Sequence, residues 1–134
     1  MELVFINYTS LYYTYIAETT TPLMINGKFV LIQHESTEYL VFSPAAFTKY
    51  HANIVERFCL DKGIEGGYNA EGKVYNISDH AWIIAGGGKF EIDTLHGTLK
   101  LFDESMAYGK FNGQGLQEKI LSLPAFTGYT VLIN

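Results

Sequence analysis

Apolar and aromatic positions in this chain fall into short runs separated by polar and glycine-rich breaks, a pattern of strands more than of long helices. Leu3 to Tyr15 is rich in β-branched and aromatic residues, is broken near Tyr8-Thr9-Ser10, and predicts one or two strands. Glu18 to Pro22 is a polar connection, and Asn26-Gly27 reads as a turn. Lys28 to Gln33 then predicts a buried strand, with Glu38 to Phe42 as its neighbour.

Ser43-Pro44 carries an N-cap residue followed by a proline and predicts the opening of a helix, with Thr48 as an alternative cap for one beginning at Lys49. Phe47, His51, Ile54 and Phe58 share one helical face, and Gly63 is the expected stop. Strand pattern returns from Lys73. His80 to Ala85 and Lys89 to Asp93 form an extended run interrupted by Gly86-Gly87-Gly88, and His96-Gly97 turns the chain into Thr98 to Phe102. Gly113 to Leu123 predicts a short helix with Leu116, Ile120 and Leu123 on one side, stopped by Pro124 before a closing strand at Tyr129 to Ile133. The expected fold is α+β: a single mixed β-sheet flanked by two helices, one on each face, with residues 1–26 as an extra N-terminal strand segment.

Composition narrows the function classes. The 134 residues suit one domain, and 48% hydrophobic with 17% charged residues supply one core and exclude a disordered chain. A net charge of −5 argues against a nucleic-acid partner, which clustered Lys and Arg would serve. Cys59 is the only cysteine, so no intrachain disulfide forms, and its apolar neighbours predict a buried small hydrophobe. The N-terminus carries Glu2 and no basic stretch of a secretory signal, and no apolar run approaches the roughly 18 residues of a membrane span. The expectation is a cytoplasmic protein without a membrane partner.

Candidate chemistry centres on Lys49-Tyr50-His51-Ala52-Asn53-Ile54 and on Ser105-Met106-Ala107-Tyr108-Gly109. His51 has two readings: a structural histidine hydrogen-bonded at one nitrogen, or a nucleophile whose neutral imidazole attacks phosphorus without a metal. Near a helix start it would meet unpaired amides that favour phosphate. The second segment offers further amides to an anion. Lys28 is either a snorkelling surface charge or a cation that keeps His51 neutral and neutralises phosphoryl oxygens. Gly86-Gly87-Gly88-Lys89 lacks the spacing of a phosphate loop and reads as a bulge or close approach within a strand, with Lys89 a possible contributor of charge. The histidines at 34, 51, 80 and 96 lack i, i+3 or i+4 pairing and a nearby cysteine, so no zinc site is expected. Ser105 lacks the elbow of a serine hydrolase.

Taken in order, Gly27-Lys28-Phe29-Val30-Leu31-Ile32, Lys49-Tyr50-His51-Ala52-Asn53-Ile54, Gly86-Gly87-Gly88-Lys89, Ser105-Met106-Ala107-Tyr108-Gly109 and Tyr129-Thr130-Val131 resemble the Janus/Ocnus family over about residues 28–134. The resemblance implies a phosphatase that uses no metal or cofactor and acts on P–N bonds of phosphohistidine, and of phospholysine, in proteins or small phosphoramidates. It makes His51 and Lys28 catalytic. It assigns phosphate to the amides of Ala52, Ser105 and Ala107 together with the Ser105 hydroxyl, puts Tyr50 and Met106 at the mouth, and sets Lys89 where the family has an arginine. The alternative is a catalytically inactive module of the same fold that binds phosphate or a phosphoprotein. A third class is a structural or regulatory domain working through the aromatic N-terminus.

Overall fold

The chain opens with strand β1 (Glu2–Asn7) and then coils instead of forming a second strand. The computed structural model describes residues 1–134. Asn7 caps the coil, its side chain accepting from the Thr9 N–H at 3.0 Å, and α1 (Tyr8–Leu11) runs into a π-helical turn (Tyr12–Ile16). The strand expected to reach Tyr15 therefore stops at Asn7. Aromatic and β-branched composition favours strand, but Tyr8 is drawn into the core and donates its hydroxyl to Asp61 at 2.8 Å, so tertiary packing overrides propensity.

Strand β2 (Met24–His34) begins before the expected Asn26-Gly27 turn and carries it straight through. Gly27 is needed there for close approach, since a Cβ would strike the Ser43 carbonyl and the Phe90 ring. β3 (Thr37–Pro44) likewise absorbs the Ser43-Pro44 pair expected to open a helix. Pro44 lies beyond the last β1 pair, Asn7–Phe42, so its missing N–H breaks no β1–β3 hydrogen bond. The helix, α2 (His51–Lys62), starts later than either expected cap and ends at Gly63 in the left-handed conformation. Phe47 thus lies before the helix, while His51, Ile54 and Phe58 share its buried side.

A two-stranded ladder follows, β4 (Gly66–Tyr68) with β5 (Tyr75–Ile77). β6 (Trp82–Asp93) runs through the three glycines without ending, and its register against β2 shifts between Val30 and Ile32, where Gly86 takes φ 111°. β7 (Thr98–Phe102), α3 (Leu116–Leu121), a 3-10 turn (Pro124–Phe126) and β8 (Thr130–Ile133) complete the chain. Six strands form one mixed sheet in the order β1-β3-β2-β6-β7-β8, parallel at β1–β3 and β7–β8 and antiparallel elsewhere.

Each sheet face has its own core. α3 covers Phe29, Leu31, Phe42 and Phe90, and α2 covers Val30, Ile32 and Val41. Burial on both faces explains why β2 and β3 read as continuous apolar runs without alternation. Each fully buried phenylalanine, such as Phe29, Phe58 or Phe90, contributes on the order of 1.5–3 kcal/mol. No helix is long and apolar enough to cross a membrane.

Candidate functional site

His51 occupies the first position of α2 and is only 7% exposed. Its placement begins with the turn before the helix: the Asn53 side chain accepts from the Tyr50 N–H at 3.1 Å, and the Asn53 N–H donates to the Tyr50 carbonyl at 3.1 Å. The N–H groups of His51 and Ala52 lie in the first helical turn and find no acceptor in the protein.

The imidazole lies against β6. Its Nε2 is 2.8 Å from the carbonyl oxygen of Gly88. A carbonyl has no proton to give, so Nε2 carries the hydrogen and donates, which leaves Nδ1 as the lone-pair nitrogen of the neutral ring. Burial lowers the His51 pKa below the ordinary imidazole value; the Gly88 carbonyl opposes this, and the ammonium of Lys28 adds to the lowering. The ring is neutral at physiological pH.

Gly87 makes room for this arrangement. A Cβ there would sit 2.5 Å from the Phe29 carbonyl oxygen, 3.0 Å from the His51 ring and 3.4 Å from the Ser105 Cβ, so His51 and Ser105 flank one glycine. The register shift in β6 accompanies an N–H of Gly87 that bonds the Gly109 carbonyl at 3.1 Å, pinning the 105–109 loop to the sheet. Tyr108 anchors the loop from the other side, accepting from the Tyr75 N–H at 3.0 Å and donating to the Tyr75 carbonyl at 2.8 Å.

Within that loop the expected donors divide. The Ser105 N–H is spent on the Gly109 carbonyl at 3.2 Å, which corrects its expected role as a phosphate donor. The Ser105 hydroxyl is 1% exposed and accepts from the Tyr108 N–H at 3.1 Å, leaving its own hydrogen free to donate. The Ala107 N–H has no partner. Met106, between them, is fully exposed, and Tyr50, beside His51, is 58% exposed.

The two lysines also differ. Lys28 and Lys89 are directly paired across β2 and β6, two residues from the Val30–Gly87 pair and therefore on the same sheet face. Lys89 is held by Asp103 at 3.1 Å, whereas Lys28 has no carboxylate partner. A shallow groove of about 320 Å³ passes over both, with Asn26, Glu91 and Phe102 in its walls. A second hollow, about 560 Å³, lies between the start of α3 and β8, with Gly113, Gln117 and Val131 in its walls and no histidine or lysine among them, and the chemistry at His51 outweighs its size.

His34, His80 and His96 stand apart from His51, and no three His, Cys, Asp or Glu side chains gather anywhere. His34 stacks on Trp82 at 3.9 Å and His96 bonds Asp93 at 2.7 Å. Cys59 is fully buried, and burial pushes its thiol up to about 11, as a small core residue would be. Three roles are not predicted by the sequence: the Gly88 carbonyl as ring partner, Asn53 as cap and Tyr108 as anchor. Asn53 follows Tyr50 at capping-box spacing and was open to detection; a backbone carbonyl leaves no sequence signal.

No protein-family model matches this chain, and no curated protein gives a significant match to it.

Proposed function

We propose that this protein is a metal-independent phosphatase that cleaves P–N bonds, with phosphohistidine in proteins or small phosphoramidates as substrate and His51 as nucleophile. The observation that carries this is the buried neutral imidazole whose Nε2–H is spent on the Gly88 carbonyl, leaving Nδ1 beside unpaired helix-start amides. The sequence resemblance to the Janus/Ocnus family supports the same assignment.

Nδ1 of His51 attacks phosphorus in line as the P–N bond breaks, and the departing nitrogen takes a proton from solvent. The ring becomes cationic in this step, and the Gly88 carbonyl stabilises its Nε2–H. The amides of Ala52 and Ala107, the Ser105 hydroxyl and the Lys28 ammonium meet the phosphoryl oxygens. Water then attacks phospho-His51, releasing inorganic phosphate and the neutral ring. A P–N donor suits a site without an acid cluster, because its leaving group departs once protonated.

Phosphate release from a phosphohistidine peptide and from phosphoramidate, in EDTA, tests this. His51→Ala is expected to abolish release, and Lys28→Ala to lower kcat by about a hundredfold, the usual scale for losing one fixed charge or donor. Phosphate binding without turnover of either substrate would instead identify a phosphate-binding module.

A further inference from the structure

Arg57 lies on α2 six residues beyond His51 and outside the chemistry above. Helical side chains lean toward the helix N-terminus, and this one reaches back to the segment before the helix. Its guanidinium donates to the Thr48 hydroxyl at 2.9 Å and lies 3.8 Å over the Phe47 ring. Thr48 is itself buried and meets the buried Ser43 hydroxyl, and Ser43 is the cross-strand neighbour of Lys28. One guanidinium therefore ties residues 47–48 to the strand pair that carries the unpaired lysine.

The N-terminal segment closes over the same group. The Tyr8 ring is 5.4 Å from the guanidinium, and its hydroxyl donates to Asp61, one helical turn beyond Arg57. Tyr12 packs on Phe47 at 5.2 Å between ring centres. The tyrosine-rich start of the chain thus covers the outer side of Arg57 and Phe47. Two residues beyond Thr48 lies Tyr50, whose position sets where the free N–H groups of His51 and Ala52 point.

We propose that Arg57 is a positioning residue for the phosphate site: it holds residues 47–50 so that the α2 amides meet the phosphoryl group, and α1 with the π-helical turn holds Arg57. The proposal rests on the phosphatase reading for its kinetic arm only. A displacement of about 1 Å in such a cradle costs up to about a hundredfold in rate. The hydrogen bond and the flat stack on Phe47 act together, and lysine replaces only the first.

The test compares wild type, Arg57→Ala, Arg57→Lys and Thr48→Val by phosphoramidate kinetics and by inorganic phosphate titration read at the His51 and Ala52 amide NMR signals. Arg57→Ala is expected to raise KM and weaken phosphate binding in parallel, about tenfold or more. Arg57→Lys should fall between it and wild type, and Thr48→Val, which removes the acceptor at nearly constant volume, should reproduce the loss if Arg57→Ala fails to fold. Wild-type phosphate affinity and KM in both Arg57→Lys and Thr48→Val, with only thermal stability lowered, would overturn the proposal. An inert wild type whose phosphate affinity still depends on Arg57 would sink the phosphatase reading and leave Arg57 in its role. A wild type that binds no phosphate would overturn both.

Discussion

His51 is protonated less readily than a free imidazole, and the direction of that shift fixes two pH effects. Nucleophilic Nδ1 should remain available below the ordinary imidazole pKa of about 6.5 and disappear only in more acid solution, so turnover should hold through pH 6.5. NMR titration of the His51 ring, with a midpoint below about 6.5, checks it. Stability moves the other way from a salt-bridged histidine. The unfolded chain takes up the proton first as pH falls through about 6.5, so the His51 contribution to folding weakens from there down to its folded pKa. Gly87→Ala should cost about 1–3 kcal/mol in denaturant unfolding and suppress turnover, because its methyl enters the space of the Phe29 carbonyl and the His51 ring. At this scale much was legible: an imidazole in an apolar helical stripe and a small-residue loop are visible as residue types, whereas Lys28, expected to open its strand, lies four residues inside β2. The pairing of the Ser105 amide was not legible, because a bridge back to Gly109 depends on loop closure, which residue identity does not reveal.

Elements were legible where one force dominated. β7 and β8 match their expected bounds closely, and β2 and β3 are legible as apolar runs, because burial on both faces demands such runs. Boundaries failed where local signals met a sheet. Asn26-Gly27 and Ser43-Pro44 resemble a turn and a helix start, yet Gly27 pairs with Pro44 and Lys28 with Ser43 across β2 and β3, and the hydrogen-bonded ladder prevails. The three glycines were anticipated as a bulge or close approach and are both, at Gly86 and Gly87. The 105–109 loop depends on a single side chain for its outer anchor. Tyr108→Phe should cost about 1–3 kcal/mol, since it leaves the Tyr75 N–H and carbonyl without their partner, and it should broaden the Ala107 amide signal. Burial raises the Tyr108 hydroxyl to about 12, so it stays protonated and able to donate throughout the working range.

Across the whole molecule the N-terminal segment is part of the sheet and not an appendage. β1 pairs with β3 along its full length, and Phe5 packs edge-on against Phe42 at 5.0 Å and against Phe126 at 5.2 Å. The boundary expected between residues 26 and 27 falls inside β2, so the first strand to follow the extension begins within it. Phe5→Ala should lower stability by about 2 kcal/mol in urea unfolding, less than a fully buried phenylalanine because its ring is only partly covered. Removing residues 1–7 should do more, broadening the transition, since β3 becomes a sheet edge with its apolar side chains uncovered. A sharp unfolding transition equal to that of the full chain would contradict this integration. The parallel pairing could not be seen in sequence, because β1 finds β3 across the intervening β2 hairpin arm and no local pattern records that partner.

The partner of the His51 ring is a peptide oxygen, and this has a consequence for anyone mapping the protein by mutation. No codon specifies that oxygen, so a complete alanine scan would score His51 and pass over the group that decides which of its nitrogens is bare. Replacing Gly88 changes a side chain and leaves the carbonyl in place; only the path of the strand can move it. The protonation pattern of the ring is thus inherited with the sheet itself, and it will persist in any variant that still folds.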